Sequence, residues 1–103
     1  MGFIMYDSTS QLYIEDRALA HLKVVIATKL RRNESFTVSW VHPDDDDHGR
    51  STIWIHPAIP LRFTFESRTP EKLNSEWITQ LMNTANSTGG ITLTAEVRDA
   101  PPE

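Results

Sequence analysis

The densest set of side chains that could bind a metal ion lies near position 45. Four consecutive aspartates, Asp44–Asp47, stand between His42 and His48, and carboxylate oxygens and imidazole nitrogens are common metal ligands. A calcium loop of the EF-hand type needs a carboxylate at its twelfth position. Counted from Asp44, that position is Ile55, which cannot bind a metal. The sequence therefore predicts a solvated loop with no resident metal. The weak candidates for metal ligands are His42, Asp44, Asp46 and His48.

Motifs that would indicate catalysis are missing elsewhere in the sequence. There is no cysteine, no G-x-S-x-G, no H-E-x-x-H, no G-x-x-x-x-G-K-[ST] and no G-x-G-x-x-G. None of the three lysines is followed by the x-D-G of a nucleotidyl-transfer lysine. A small enzyme that uses His42, His48 or His56 is the least favoured hypothesis. The sequence leaves enzymatic activity undecided, but it favours a protein without catalytic residues and without a cofactor.

Hydrophobic periodicity predicts the elements that position these side chains. Helical spacing of apolar residues indicates one helix from an N-cap at Asp16 to Asn33, with His21 at its surface or boundary. A second helix is expected from a cap at Thr69–Pro70 to Gly89. Apolar, β-prone runs, most of them alternating with polar residues, indicate six strands, over 2–6, 11–15, 35–42, 51–56, 61–66 and 91–97.

This order, ββαβββαβ, predicts an α+β fold. We expect a two-layer sandwich, with a largely antiparallel sheet of about six strands and two helices on one face. The 103 residues suffice for one domain, expected over 1–98, with a flexible tail of prolines and acids over 99–103. The first residues lack a signal peptide and no run is long enough to span a membrane, so we expect a cytoplasmic location.

The face of the sheet turned away from the helices is the first candidate binding surface. The alternation places Trp54 there among threonines, and a large apolar side chain in water favours a partner surface. The alternative, in which Trp54 packs on Tyr13 or an edge loop, or pairs across strands with threonines, stays open. The candidates for partner contacts are Thr52, Trp54, His56, Arg62 and Thr64.

The first predicted helix is the second candidate surface. The net charge of the chain is −4, yet residues 16–33 hold five basic residues and one acidic residue. Lys29, Arg31 and Arg32 are therefore candidates for contacts with phosphates. The alternative is that they form a solvated last turn of the helix, where cations favour the helix dipole.

Four segments of the sequence resemble a family of short actinobacterial proteins without an established function. They read EDRALAHLK from Glu15, KLRRNESF from Lys29, IWIHPAIPL from Ile53 and LNSEWI from Leu73. Members of that family often carry the label ATP-dependent DNA ligase. The resemblance implies no catalytic residues, and the sequence has neither the adenylated-lysine motif nor the length of a ligase.

These observations together favour a non-enzymatic protein-interaction module. We expect it to self-associate as a homo-oligomer, or to bind another protein, through the exposed sheet face or an edge strand. The alternative is an accessory protein that associates with nucleic acid through the basic helix 16–33.

Overall fold

The computed structural model describes residues 1–42 and 48–96 of the chain. Over these residues it confirms an α+β fold, with six strands and two helices in the expected order. The elements are β1 Gly2–Tyr6, β2 Ser10–Ile14, α1 Asp16–Arg31, β3 Phe36–Val41, β4 Arg50–Ile55, β5 Leu61–Thr64, α2 Ser75–Thr88 and β6 Gly90–Thr92. The expected tail 99–103, the domain boundary at 98 and the last residue of the sixth predicted strand lie outside the described residues. Neither described helix is long and apolar enough to cross a membrane.

The strands divide between two three-stranded sheets, whereas the sequence pattern suggested one sheet. In the first sheet β1 lies between β2 and β5 and is antiparallel to both. In the second sheet β3 lies between β4, to which it is antiparallel, and β6, to which it is parallel. The parallel pair forms because α2 precedes β6 and returns the chain to the end of the sheet where β3 begins.

A tight turn joins β1 to β2, as the polar residues between the two strands predicted. Asp7 and Ser8 both have positive φ, 53° and 59°, and the Thr9 N–H donates to the Tyr6 carbonyl over 3.1 Å. Positive φ at both central residues is the requirement of a type I′ hairpin turn. Serine adopts this conformation at a cost that glycine would not have.

The first helix ends at the asparagine that the sequence indicated, but it begins differently. Asn33 has φ 63°, and the amides of Asn33 and Glu34 donate to the carbonyls of Leu30 and Lys29, which is a Schellman motif. At the other end the N-cap position is Glu15, without a side-chain cap. The prediction of Asp16 as the N-cap was therefore wrong.

Asp16 instead connects α1 to the end of β5. Its two carboxylate oxygens accept hydrogen bonds from the backbone amides of Glu66 and Ser67, over 3.1 and 2.9 Å. These bonds, the one from Ser67 first, lower the pKa of the Asp16 carboxyl below its usual 3.8. The side chain therefore holds the segment that follows β5 against the start of α1.

The second helix begins later than the sequence indicated. Its N-cap is Asn74, whose side-chain oxygen accepts from the amides of Glu76 and Trp77. The expected cap at Thr69–Pro70 was wrong, because residues 65–74 cross the start of α1 without helical structure. At the other end Gly89, with φ 78°, donates its amide to the Ala85 carbonyl, as the sequence indicated.

One hydrophobic core joins the helices to the inner faces of both sheets. The alternation predicted for β3 is confirmed, since Phe36, Val38 and Trp40 are buried. The other buried apolar residues are Ile4, Ile14, Ala18, Leu19, Leu22, Val25, Ile26, Ile55, Trp77, Leu81, Ala85 and Ile91. The faces turned away from this core are therefore the surfaces on which a partner would dock.

The parallel pairing of β3 and β6 depends on a residue without a side chain. A Cβ atom built on Gly90 would lie 2.0 Å from Oγ1 of Thr37, its neighbour in β3. No real Cβ approaches another heavy atom so closely, so any larger residue must displace the Thr37 side chain or the strand.

Candidate interaction surface

The outer face of the second sheet carries the exposed tryptophan. We call this surface the Trp54 face, and its members on β3 and β4 are Thr37, Ser39, Val41, Arg50, Thr52 and Trp54. Trp54 is 51% exposed and lies opposite Thr37. Beside it Ser39 and Thr52 share a hydroxyl hydrogen bond of 2.8 Å across the two strands. The indole is therefore exposed to water and lies beside small polar side chains.

A second apolar side chain lies at the far end of the Trp54 face. Val41 is 76% exposed and lies opposite Arg50. The alternation along β3 places Val41 on this face, but Val41 was not among the candidates for partner contacts. The signal was available, because alternation along a strand places every second side chain on the same face.

Among the described residues, strand β4 lies at an edge of its sheet, and one hydrogen bond shows which of its residues point outward. The His42 amide donates to the Gly49 carbonyl over 2.9 Å, so these two residues form a hydrogen-bonded pair. Hydrogen-bonded and non-hydrogen-bonded pairs alternate along an antiparallel ladder. Arg50, Thr52 and Trp54 therefore belong to the non-hydrogen-bonded pairs of β3 and β4, and their backbone groups point away from β3. The Tyr6 hydroxyl donates to the Trp54 carbonyl over 2.5 Å and links the two sheets at this edge.

The other three candidates for partner contacts are not on the Trp54 face. Arg62 and Thr64 belong to β5 in the first sheet, opposite Met5 and Phe3. Arg62 is exposed, whereas Thr64 is half-buried. His56 lies in the connection between β4 and β5, where its Nδ1 accepts from the Ala58 amide over 3.0 Å. The division into two sheets separates residues that one continuous sheet would have placed side by side.

The three basic candidates for phosphate contacts do not share one surface. Arg31 and Arg32 are exposed at the end of α1. Lys29 is buried, with its Nζ 3.8 Å from a carboxylate oxygen of Glu34 and 5.9 Å from the centre of the Phe36 ring. Only the two arginines are therefore exposed to a phosphate group.

The candidate metal ligands are described only in part. The rings of His42 and His48 lie 5.7 Å apart, and Nε2 of His42 is hydrogen-bonded to the Ser51 hydroxyl over 2.7 Å. Asp44 and Asp46 lie outside the described residues. Within 1–42 and 48–96, no three potential ligands come together as a metal site would require.

A polar cluster that sequence reasoning missed joins α1, α2 and the segment after β6. Arg17 donates from Nε and Nη2 to the two carboxylate oxygens of Glu96, both over 2.6 Å. Its Nη1 also donates to the Lys72 carbonyl over 2.9 Å and lies 3.4 Å from Glu71. Hydrogen bonding to Glu96 raises the pKa of the Arg17 guanidinium further above its usual value. This cluster therefore holds a two-point ion pair between Arg17 and Glu96.

His21 belongs to the same cluster, and its predicted surface location was wrong. The ring is fully buried and lies 4.5 Å from the Trp77 ring. Its Nδ1 is 2.7 Å from the Arg17 carbonyl, and its Nε2 accepts from the Asn74 amide over 2.8 Å. These partners require a neutral ring with its hydrogen on Nδ1. Both nitrogens are occupied within the fold, so the histidine stabilises the helix junction and does not face a substrate.

The buried polar side chains of the described residues all have hydrogen-bond partners. The polar cluster therefore has no free group that points to a substrate, and the exposed Trp54 face is the better candidate site.

Comparisons with known proteins place the chain in a family. Residues 1–96 match the model of a family described as Domain of unknown function (DUF7882). No curated protein and no solved structure matches the chain. The family match covers nearly the whole chain and agrees with the resemblance to an uncharacterised family, and it lends no support to the ligase label. The chain belongs to the family described as Domain of unknown function (DUF7882).

Proposed function

We propose that this domain is a protein-interaction module that pairs with a second copy of itself through the edge of β4 and the Trp54 face. The observation that carries the proposal is the half-exposed indole of Trp54 on an edge strand. Exposed apolar side chains next to an unpaired strand edge favour the addition of another strand. Aromatic residues are also enriched in protein interfaces.

The geometry of β4 favours one particular register. Thr52 lies midway between Arg50 and Trp54, and the backbone groups of all three point outward. In an antiparallel pair around a two-fold axis at Thr52, the two copies of Thr52 face each other. Each Arg50 then lies opposite Trp54 of the second copy, where a guanidinium–indole contact contributes about 0.5–1 kcal/mol. The Trp54 carbonyl, which accepts from Tyr6, has a second lone pair for a hydrogen bond to the second copy.

A charge-reversal experiment tests this register. The variants Thr52→Glu and Thr52→Lys each place like charges face to face at the two-fold axis, where they repel each other. By sedimentation equilibrium we expect wild type to dimerise at micromolar concentrations and each variant alone to be monomeric. An equal mixture of the two variants should form the mixed dimer. A monomeric wild type, or a mixture that stays monomeric, would refute the proposal.

The role of the indole is tested with a matched control. Trp54→Thr removes the exposed ring but keeps a good strand former, and we expect at least a threefold weaker dimer from loss of the contact with Arg50. Tyr13→Thr is the control, because Tyr13 is an aromatic residue on the first sheet that is at least as exposed, at 59% against 51% for Trp54. Equal loss of dimer in both variants would indicate a general effect and contradict the proposed surface.

Binding of nucleic acid is a second candidate function, and the exposed pair Arg31 and Arg32 favours it. Contacts with phosphates make the logarithm of the affinity fall linearly with the logarithm of salt concentration. We would measure binding of labelled single- and double-stranded DNA at several salt concentrations, with wild type and with Arg31→Ala/Arg32→Ala. Absence of binding by wild type at low salt eliminates this function, and binding that the double variant retains excludes the two arginines as the contact.

A further inference from the structure

A separate cleft lies between α1 and the segment that follows β5, away from the Trp54 face. Its volume is about 340 Å³, within the range of small-molecule sites. Its apolar walls come from Ala20 and Val24 on one side and from Phe65, Pro70 and Leu73 on the other. Leu73 is 48% exposed, so an apolar surface remains open to water beside the cleft.

Two cations and two carboxylates line this cleft. Lys23 and Arg68 both line it and both are exposed. Within the described part of the chain, neither forms an ion pair with a carboxylate. The Nζ atom of Lys23 lies 5.7 Å from the centre of the Phe65 ring, which places its positive charge beside the apolar wall.

The two carboxylates of the cleft are already occupied. Asp16 accepts the backbone amides of Glu66 and Ser67, and Glu71 accepts from Arg17. Both carboxylates keep their negative charge, but their oxygens already accept these hydrogen bonds, whereas Lys23 and Arg68 form no ion pair within the described residues. The cleft therefore combines apolar walls with two exposed cations that have no ion-pair partner among the described residues.

We propose that this cleft binds a small amphipathic carboxylate, with its apolar chain against Phe65 and Leu73 and its anionic group beside Lys23 and Arg68. Burial of the apolar chain supplies most of the affinity. The two cations select an anionic head over a neutral or cationic one.

Binding is tested with three probes that share a chain length: octanoate, 1-octanol and octylammonium. Titrations of the ¹⁵N-labelled protein, followed by amide chemical shifts, should show saturable changes confined to residues 20–24 and 65–73. We expect octanoate to bind about threefold to tenfold more tightly than octanol, and octylammonium more weakly than octanol. Equal affinities for the three probes, shifts centred elsewhere, or no saturation would each overturn the proposal.

Two sets of variants test the contribution of the two cations and that of the cleft volume separately. Lys23→Gln/Arg68→Gln should reduce the affinity for octanoate to that for octanol and leave the affinity for octanol unchanged. Lys72→Gln is the matched control, because Lys72 is exposed nearby but does not line the cleft. Ala20→Met, which suits a helix, should fill the cleft and abolish binding of octanoate and octanol, while the circular dichroism spectrum stays unchanged. Unaltered binding of octanoate by a folded Ala20→Met variant would also refute the site.

Discussion

Replacement of His21 by phenylalanine tests whether the buried polar cluster holds the two helices together. Phenylalanine preserves the aromatic contact with Trp77, which lies 4.5 Å away, and it removes both ring nitrogens. The Asn74 amide then loses its acceptor at 2.8 Å, and the Arg17 carbonyl loses its contact at 2.7 Å. The change therefore isolates the hydrogen bonds from the packing.

The expected loss of stability follows from these two contacts. A buried N–H left without a partner costs about 1–3 kcal/mol, and the second hydrogen bond contributes about 1 kcal/mol. The sum, about 2–4 kcal/mol, corresponds to a fall in Tm of roughly 10–30 °C in a domain of this size. We would measure it by urea unfolding and by thermal unfolding. Hydrogen exchange should accelerate at the amides of residues 74–77, because His21 holds the N-cap of α2.

An exposed histidine provides the control. His56→Phe removes only an exposed turn contact with the Ala58 amide and should change the stability by less than about 0.5 kcal/mol. If His21→Phe is as stable as His56→Phe, or if exchange at residues 74–77 does not change, the assignment of His21 as the link between the helices is wrong.

Three further changes test other parts of the structure. The pKa of Asp16 in the folded protein lies below the usual 3.8. Asp16 therefore contributes stability that is fully present above pH 3.8 and is lost as pH falls through the folded pKa. In urea unfolding at several pH values, the difference in stability between wild type and Asp16→Asn should shrink below about pH 4. Gly90→Ala should destabilise the fold by about 1–3 kcal/mol, and Thr37→Ala should recover part of that loss; additive effects in a double-mutant cycle would contradict the contact. Ser8→Gly should raise the stability by about 0.4–1 kcal/mol, because its φ is positive, and an unchanged or lower midpoint in urea would contradict the type I′ turn.

Sequence reasoning was most successful where a local pattern decides the structure. Alternation along β3 and the helical stripe of α1 each bury one face, and those faces are in the core. Asn33 and Gly89 end their helices in the left-handed region, which asparagine and glycine adopt more readily than other residues. In each case the signal and its structural consequence lie within a few residues of each other, so no knowledge of distant contacts is needed.

Sequence reasoning failed where a distant partner decides the outcome. Asp16 has the side chain of an N-cap, but the amides of Glu66 and Ser67 occupy its oxygens. Helix α2 starts at Asn74 instead of Thr69–Pro70, and Asn74 donates its backbone amide to His21. These contacts join residues about fifty positions apart, and no pattern along the chain reveals them.

The candidate surfaces show the same division. The outward position of Trp54 was predictable, because the period of two in β4 depends only on neighbouring residues. Its separation from Arg62 and Thr64 was not, because the pairing of strands into two sheets depends on which edges meet in space. Local sequence determined which side chains leave the core, since each backbone conformation orients its own side chains. Only the tertiary structure decided which of those side chains share a surface, since that depends on free energies summed over contacts between distant parts of the chain.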